Sequence, residues 1–269
     1  MKKIKTIIAT TLAAVACFST LTSCQEPVDP SKTVTIGYTD YAPMNYEENG
    51  ELVGFDTELA KAVFEELGYQ VRFKLIDWSQ KYSELNSNTI DCVWNGFTAN
   101  CADDDGIQRS DKVDFSYYYM TNAQCVIRLE STTELASASE FVGNSVAFEA
   151  SSAGDSYVSA IEGDIYKKAV ASQMDAVREV SAGTSQYAVV DLLLAKSLVG
   201  QNDYADLVIN ESIVIDAEYY AIGFKLGSEL TAQVNAKLVA YAQDGTLAEV
   251  AAKYNLSNQV ITDYTDQIK

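Results

Sequence analysis

Residues 55–76 read FDTELAKAVFEELGYQVRFKLI, and the change of periodicity within them decides the fold. Asp56 is placed to cap a helix running to Leu67, with Leu59, Ala60, Val63, Phe64 and Leu67 on one apolar face and Gly68 as its stop. YQVRFKLI (69–76) then reads as a strand. Working outward, VTIGY (34–38) is a strand before this pair, a short helix starts at Ser79, and TIDCVW (89–94) is a third strand. That β-α-β-α-β order predicts a largely parallel sheet with helices on its faces.

A second series follows, with strands AQCVIRL (123–129) and NSVAFEA (144–150), a helix from about Ser152, helix SQMDAVREVSAG (172–183), strand QYAVVD (186–191) and helix LLLAKSLVG. Strands DLVIN and YYAIGFK (219–225) and two helices around Asp244-Gly245 complete it. No Pro- or Gly-rich linker separates the two α/β units, so the expected architecture is two lobes joined by extended strands. Open parallel sheets bind ligands beyond the carboxyl ends of their strands. The Trp94–Thr98 turn, the Glu149–Ser152 turn and Asp191 all fall at such ends.

The first residues carry a different signal. Lys2, Lys3 and Lys5 precede the short apolar run IIATTLAAVACF, which reads as a secretory signal over residues 1–23 and is too short to span a bilayer. Leu21-Thr22-Ser23-Cys24 resembles a lipobox, so Cys24 is the expected first mature residue and lipidation site, with residues 24–32 as a polar tether. The expectation is an exported protein held by lipid at the outer or periplasmic face of the cell membrane. The chain of 269 residues has a net charge of −19, which argues against nucleic acid and anionic lipid surfaces as partners. It contains no histidine, which excludes Ser-His-Asp and Cys-His catalysis and His-based metal sites. No cofactor or metal is expected. Cys92 and Cys125 read as buried small hydrophobes, and a bridge involving Cys101 is left open.

Arg109 stands out among four arginines. Arg72 and Arg128 fall in strand-like runs and Arg178 in a helical one, whereas Arg109 follows a Gly-x-Thr turn in a loop. Its guanidinium fork suits two-point recognition of a carboxylate. The competing reading is a surface arginine paired with Asp103, Asp104, Asp105 or Asp111. The Asp103–Asp105 run matches no calcium loop and reads as solvated, and Asp56 and Glu58 as helix-start electrostatics.

Several stretches resemble the bacterial extracellular solute-binding proteins of family 3, the amino-acid receptors of ABC importers. They are IGYTDYAPM (36–44), ENGELVGFDTELAKAVFEELG (48–68), DWSQKYSELNSNTIDCVWNGFT (77–98), RSDKVDFSYYY (109–119), AVVD (188–191), EYYAIGFKLGSEL (218–230) and DGTLAEVAAKYNL (244–256). Their order and spacing cover nearly all of residues 33–257. The resemblance implies a two-lobed periplasmic-binding-protein-like (type II) α/β fold with strand hinges, lobe 1 being 33–122 plus 218–269 and lobe 2 123–217.

It also implies roles. Arg109 and Thr98 grip the α-carboxylate of an amino acid, and the Ser151–Ser152 turn adds N–H and hydroxyl donors. Asp191 pairs with the α-ammonium, helped by the Gly96 carbonyl; as a residue closing a strand and opening a helix, it also reads as a plain N-cap. Tyr41 and Trp78 flank the ligand and Asn95 lies at the pocket edge. Three departures stand out. The loop from Ala99 to Gln108 is about six residues longer than the family pattern, the second-lobe turn leaves open which serine faces the ligand, and Met44 stands where an aromatic is usual. Glu149, close to the ligand side chain, favours a basic amino acid, with glutamine or another polar one as alternative. In the competing reading Glu149 turns to solvent or pairs with a lysine.

The implied function is a monomeric, membrane-anchored receptor that binds an amino acid, at micromolar affinity or tighter (about −8 kcal/mol), and delivers it to an ABC permease and ATPase complex. No catalytic residues are expected. Two alternatives from other classes are a cyclohexadienyl dehydratase-like enzyme, with Glu149 as acid, and a ligand-sensing module for a chemoreceptor.

Overall fold

The computed structural model describes residues 29–213 and 215–268; the expected signal segment and Cys24 lie outside them. In chain order the elements are β1 (Asp29–Tyr38), the hairpin β2 (Tyr46–Glu48) and β3 (Glu51–Val53), α1 (Phe55–Glu66), β4 (Tyr69–Leu75), α2 (Lys81–Asn86), β5 (Cys92–Val93), β6 (Asp114–Phe115) and β7 (Met120–Leu129). They continue with β8 (Ser145–Glu149), α3 (Ala153–Ser159), β9 (Tyr166–Val170), α4 (Gln173–Ser181), β10 (Tyr187–Asp191), α5 (Leu192–Leu198) and β11 (Leu207–Ile209). The last are β12 (Ala217–Tyr220), β13 (Gly223–Phe224), α6 (Leu230–Asp244) and α7 (Thr246–Lys253).

Two sheets give two lobes. The first has the order β4-β1-β5-β13-β6, with β1 parallel to both β4 and β5 and with β13 antiparallel to its neighbours. The second runs β11-β7-β10-β8-β9, with β8 parallel to β10 and β9 and with β7 antiparallel to β10 and β11. Helix α1 buries Leu59, Ala60, Val63 and Phe64 completely, and Phe64 meets Tyr69 and Trp94 edge-on. The apolar stripe expected from the sequence is therefore the face that seats the helix.

Two strands form the hinge. β12 pairs with the first half of β7, from Ala217↔Ala123 to Tyr220↔Met120, and β7 then runs on into the second sheet. The run YYAIGFK, expected as one strand, is interrupted at Ala221–Ile222. Its first part stays with β7 while its second enters the first sheet, and one straight strand cannot follow both ladders. The chain beyond α7 braces this crossing, with Thr121 N–H donating to the Gln259 carbonyl at 2.8 Å and Ile261 N–H to the Tyr119 carbonyl at 2.9 Å.

Two local expectations change. Gly54, not Asp56, holds the N-cap position of α1; at φ 120° a Cβ on it would lie 2.2 Å from the Met44 carbonyl oxygen, so the turn requires glycine. β9 was not expected at all. It is the edge strand YKKAV, whose lysines discourage pairing with another chain, and that same polarity hides its strand character.

Candidate functional site

A pocket between the lobes is lined by Trp78, Asn95, Gly96, Thr98 and Arg109 from one side and Glu149, Ser152, Ala153, Gln173 and Asp191 from the other. These residues follow β5, end β8 and β10, or begin helices beside them, as the carboxyl-end rule requires. Of the expected site residues, Tyr41 and Ser151 are not in the lining, and each has a different place.

Arg109 lies in a one-turn 3₁₀ helix (Arg109–Asp111) and is 1% exposed, so it is not the exposed loop residue the sequence suggested. Its Nε donates to Asp103 Oδ1 at 2.7 Å, Nη1 to the Thr98 carbonyl at 3.1 Å and Nη2 to the Ser151 carbonyl across the cleft at 3.3 Å. The guanidinium carbon sits 5.3 Å from the centre of the Phe97 ring. Arg109 thus has the pairing with Asp103 that the competing reading proposed, but as a buried residue of the pocket lining and not a surface one.

Lys81 is a second buried cation that the sequence reading missed. It is fully buried, 5.1 Å from the Trp78 ring centre and 4.7 Å from that of Tyr82, and it donates to the Ser151 carbonyl at 2.9 Å. Burial, followed by the charge of Arg109, lowers its pKa to about 7. Ser151, at φ 59°, turns its carbonyl to these two cations while its N–H donates to Asp155 Oδ2 at 2.8 Å. The expected N–H donor is thus engaged within its own turn. Ser152 lines the pocket, and its hydroxyl caps α3 by accepting from Asp155 N–H at 3.1 Å.

The floor on the first lobe is held rigidly. Gly96 has φ 59°, and a Cβ there would come within 2.7 Å of the Tyr41 ring and 3.0 Å of the Tyr220 ring. Its N–H donates to Asp56 Oδ2 at 2.8 Å, and the Tyr119 hydroxyl donates to the same oxygen at 2.9 Å. Burial raises the Asp56 pKa to about 7, so this carboxyl is a structural strut under the pocket, beyond the helix-start role expected of it. Asn95 ties the loops together, accepting from Thr39 N–H and donating to the Thr39 carbonyl and Asn45 Oδ1. Thr98 donates its hydroxyl to Glu218 Oε2 at 3.1 Å.

Asp191 occupies the N-cap position of α5, yet its side chain makes no capping bond. It accepts instead from Gln124, from Gln173 Nε2 at 2.8 Å and from the Tyr220 hydroxyl at 2.9 Å. Tyr41 stands behind this group, its hydroxyl 2.6 Å from that of Tyr220, and so acts on the pocket through Tyr220. Gln124 also reaches Glu218 at 3.0 Å, which connects Asp191 to the hinge strand β12. Burial raises the pKa of Asp191, and that of Glu218 to about 7.

Glu149 is treated differently. It is 2% exposed, its Oε1 has no hydrogen-bond partner, and no ion pair reaches it among the described residues. Burial, reinforced by the nearby charge of Asp191, drives its pKa well above the usual carboxylate range. Neither solvent nor a lysine satisfies it, so the competing reading of this residue is not realised. Cys92, Cys101 and Cys125 are free thiols.

Known proteins resemble this chain over most of its length. The family model of the bacterial extracellular solute-binding proteins, family 3, matches residues 34–257. The arginine-binding extracellular protein ArtP of Bacillus subtilis is 26% identical over 91% of this chain and 93% of its own. The L-cystine-binding protein TcyA of the same organism is 25% identical over 80% of this chain and 77% of its own. Among solved structures, an ancestral arginine-binding protein bound to arginine superposes with a TM-score of 0.74 at 28% identity, covering 82% of this chain and 97% of that one. An ABC uptake transporter substrate-binding protein from Streptococcus pneumoniae with bound histidine also gives 0.74, at 26% identity over 83% of this chain and 92% of that one. The chain belongs to the bacterial extracellular solute-binding proteins of family 3.

Proposed function

We propose that this protein captures a basic amino acid between its lobes and delivers it to an ABC permease and its ATPase. Glu149 carries the choice of side chain. A fully buried carboxyl with an unpartnered oxygen in the pocket lining is costly unless a cation meets it. A guanidinium or ammonium entering beside Glu149 supplies that cation, with Trp78 offering an aromatic wall. Arg109 takes the α-carboxylate and Asp191 the α-ammonium.

The relatives support a binding protein rather than an enzyme, and several are named for arginine. Glutamine is the second reading, because the ancestral arginine-binding protein has also been solved with glutamine. The division into lobes at 33–122 plus 218–269 and 123–217 follows the hinge strands. Ligand that bridges two lobes stabilises their closed arrangement, and no covalent chemistry is required. A thermal-shift screen of lipid-free protein against the common amino acids tests the reading, since a ligand binding only the native state raises Tm. Arginine or lysine should give the largest rise; a screen in which no amino acid raises Tm would remove the proposal.

Anchoring through Cys24 belongs to the same reading. No helix among the described residues is long and apolar enough to cross a membrane. Cys24→Ser should move the protein out of the membrane fraction or leave its signal uncleaved. A processed, membrane-bound mutant would refute the anchor.

A further inference from the structure

The segment between Thr98 and Arg109 has a defined architecture. Its ends meet in a bridge between Ala102 and Gln108, Asp103 N–H donates to the Ile107 carbonyl at 3.0 Å, and Gly106 N–H donates to the Asp103 carbonyl at 2.9 Å. Gly106 sits at φ 76°, the left-handed position that closes such a turn. This small hairpin carries the buried carboxylate of Asp103 against the side of Arg109. Asp103 Oδ1 takes the Arg109 Nε–H at 2.7 Å, and Oδ2 accepts from Lys112 Nζ at 2.8 Å and from the Tyr82 hydroxyl at 2.7 Å.

Three cations, Arg109, Lys112 and Lys81, surround this one carboxylate, which lies between charges that would otherwise repel. Burial pushes its pKa up, but Arg109, Lys112 and Tyr82 outweigh that and hold it down at about 2. With Nε engaged, the side-on mode of carboxylate binding through Nε and one terminal nitrogen is blocked. Nη1 and Nη2 each give one hydrogen to a backbone carbonyl, and each keeps one more. The Phe97 ring lies over the guanidinium, its centre 5.3 Å from the central carbon.

We propose that Asp103 is a positioning residue for ligand recognition, turning the terminal edge of Arg109 toward the α-carboxylate through a hairpin built for that purpose. This inference rests on the amino-acid-receptor reading. Its consequence has a definite sign. If Asp103 merely neutralised charge, removing it would strengthen the attraction of Arg109 for a carboxylate. If it positions the fork, removing it weakens that attraction, because a misaimed two-point contact loses most of its value.

The test compares arginine with argininamide, in which the α-carboxylate is a neutral amide, by calorimetric titration of the wild type, Asp103→Ala and the milder Asp103→Asn. Thermal unfolding confirms that each variant is folded, and Asp103→Asn serves if the alanine variant is not. The expected result is a loss of about tenfold or more for arginine with little change for argininamide, so the preference for acid over amide shrinks. Unchanged or tighter arginine binding would overturn the proposal, as would equal losses for both ligands, the mark of a purely structural residue. A wild type that binds no amino acid would defeat the functional reading and this inference with it. A wild type that binds arginine beside an unaltered Asp103 variant defeats only the inference.

Discussion

Arg109 and Glu149 are both buried ionisable groups facing one pocket from opposite lobes, and the protein provides for them very differently. Arg109 has a carboxylate on one edge, a backbone carbonyl on each terminal nitrogen and an aromatic ring on its face. Glu149 has an oxygen with no partner and a pKa forced upward. A charge that the protein itself satisfies is a fixed anchor, ready for the part that every amino acid shares. A carboxyl with an open oxygen is selective, because a ligand that brings a donor to it relieves its burial, and a cationic donor most of all. In the proposed reading Arg109 of lobe 1 and Asp191 of lobe 2 hold the common backbone end between them, and Glu149 reads the side chain.

The largest effect should come from removing the anchor. Arg109→Ala is expected to weaken every amino acid by about 3 kcal/mol or more in a calorimetric titration, whatever the side chain. It should also lower Tm, since it empties a buried position. Retained affinity would erase the distinction between the two charges.

Glu149→Gln is expected to act on one ligand class. Arginine and lysine should lose about 1.5–3 kcal/mol while glutamine changes little. Equal losses across all three would make Glu149 structural.

The pH dependence of binding sharpens the contrast further. In the free protein the Glu149 pKa is raised above its ordinary 4.5, so the carboxyl holds a proton there that a ligand cation would expel. Affinity for arginine should therefore rise with pH above 4.5, by up to about tenfold per unit. The rise should diminish in Glu149→Gln, and affinity that falls with pH would contradict the assignment.

The smallest effect concerns the ligand-free protein. Asp56 and Glu218 are both raised to about 7 by burial, from ordinary values of 3.8 and 4.5. Raised carboxyls contribute stability that is complete below the ordinary value and lost as pH rises through the folded one. Tm should fall by a few degrees from pH 4.5 to 7, and less so in Glu218→Gln; a rising Tm would show that neither group is raised.

Much of this was legible in the chain. The helix stripe at Leu59, Ala60, Val63 and Phe64, the strands flanking it and the turns at Trp94–Thr98 and Glu149–Ser152 follow from periodicity and turn chemistry. What escaped depends on partners distant in sequence. Nothing local to Lys81 says that it will be buried under Trp78 and Tyr82 and reach Ser151, 70 residues on. Asp103 looked solvated because three acids in a row usually are; only the hairpin turns one of them inward. Gln173 and Tyr220, which hold Asp191, are ordinary members of a helix start and a strand until the fold brings them beside it.

The central claim is that an unsatisfied carboxylate in lobe 2 selects a cationic side chain. Titrating the wild type at pH 8 with arginine and with citrulline, its neutral near-isostere, tests it most directly, because the two carry the same backbone end, which the proposal assigns to Arg109 and Asp191. Arginine should bind at least about tenfold more tightly. Citrulline binding as tightly as arginine, or more so, would contradict the account.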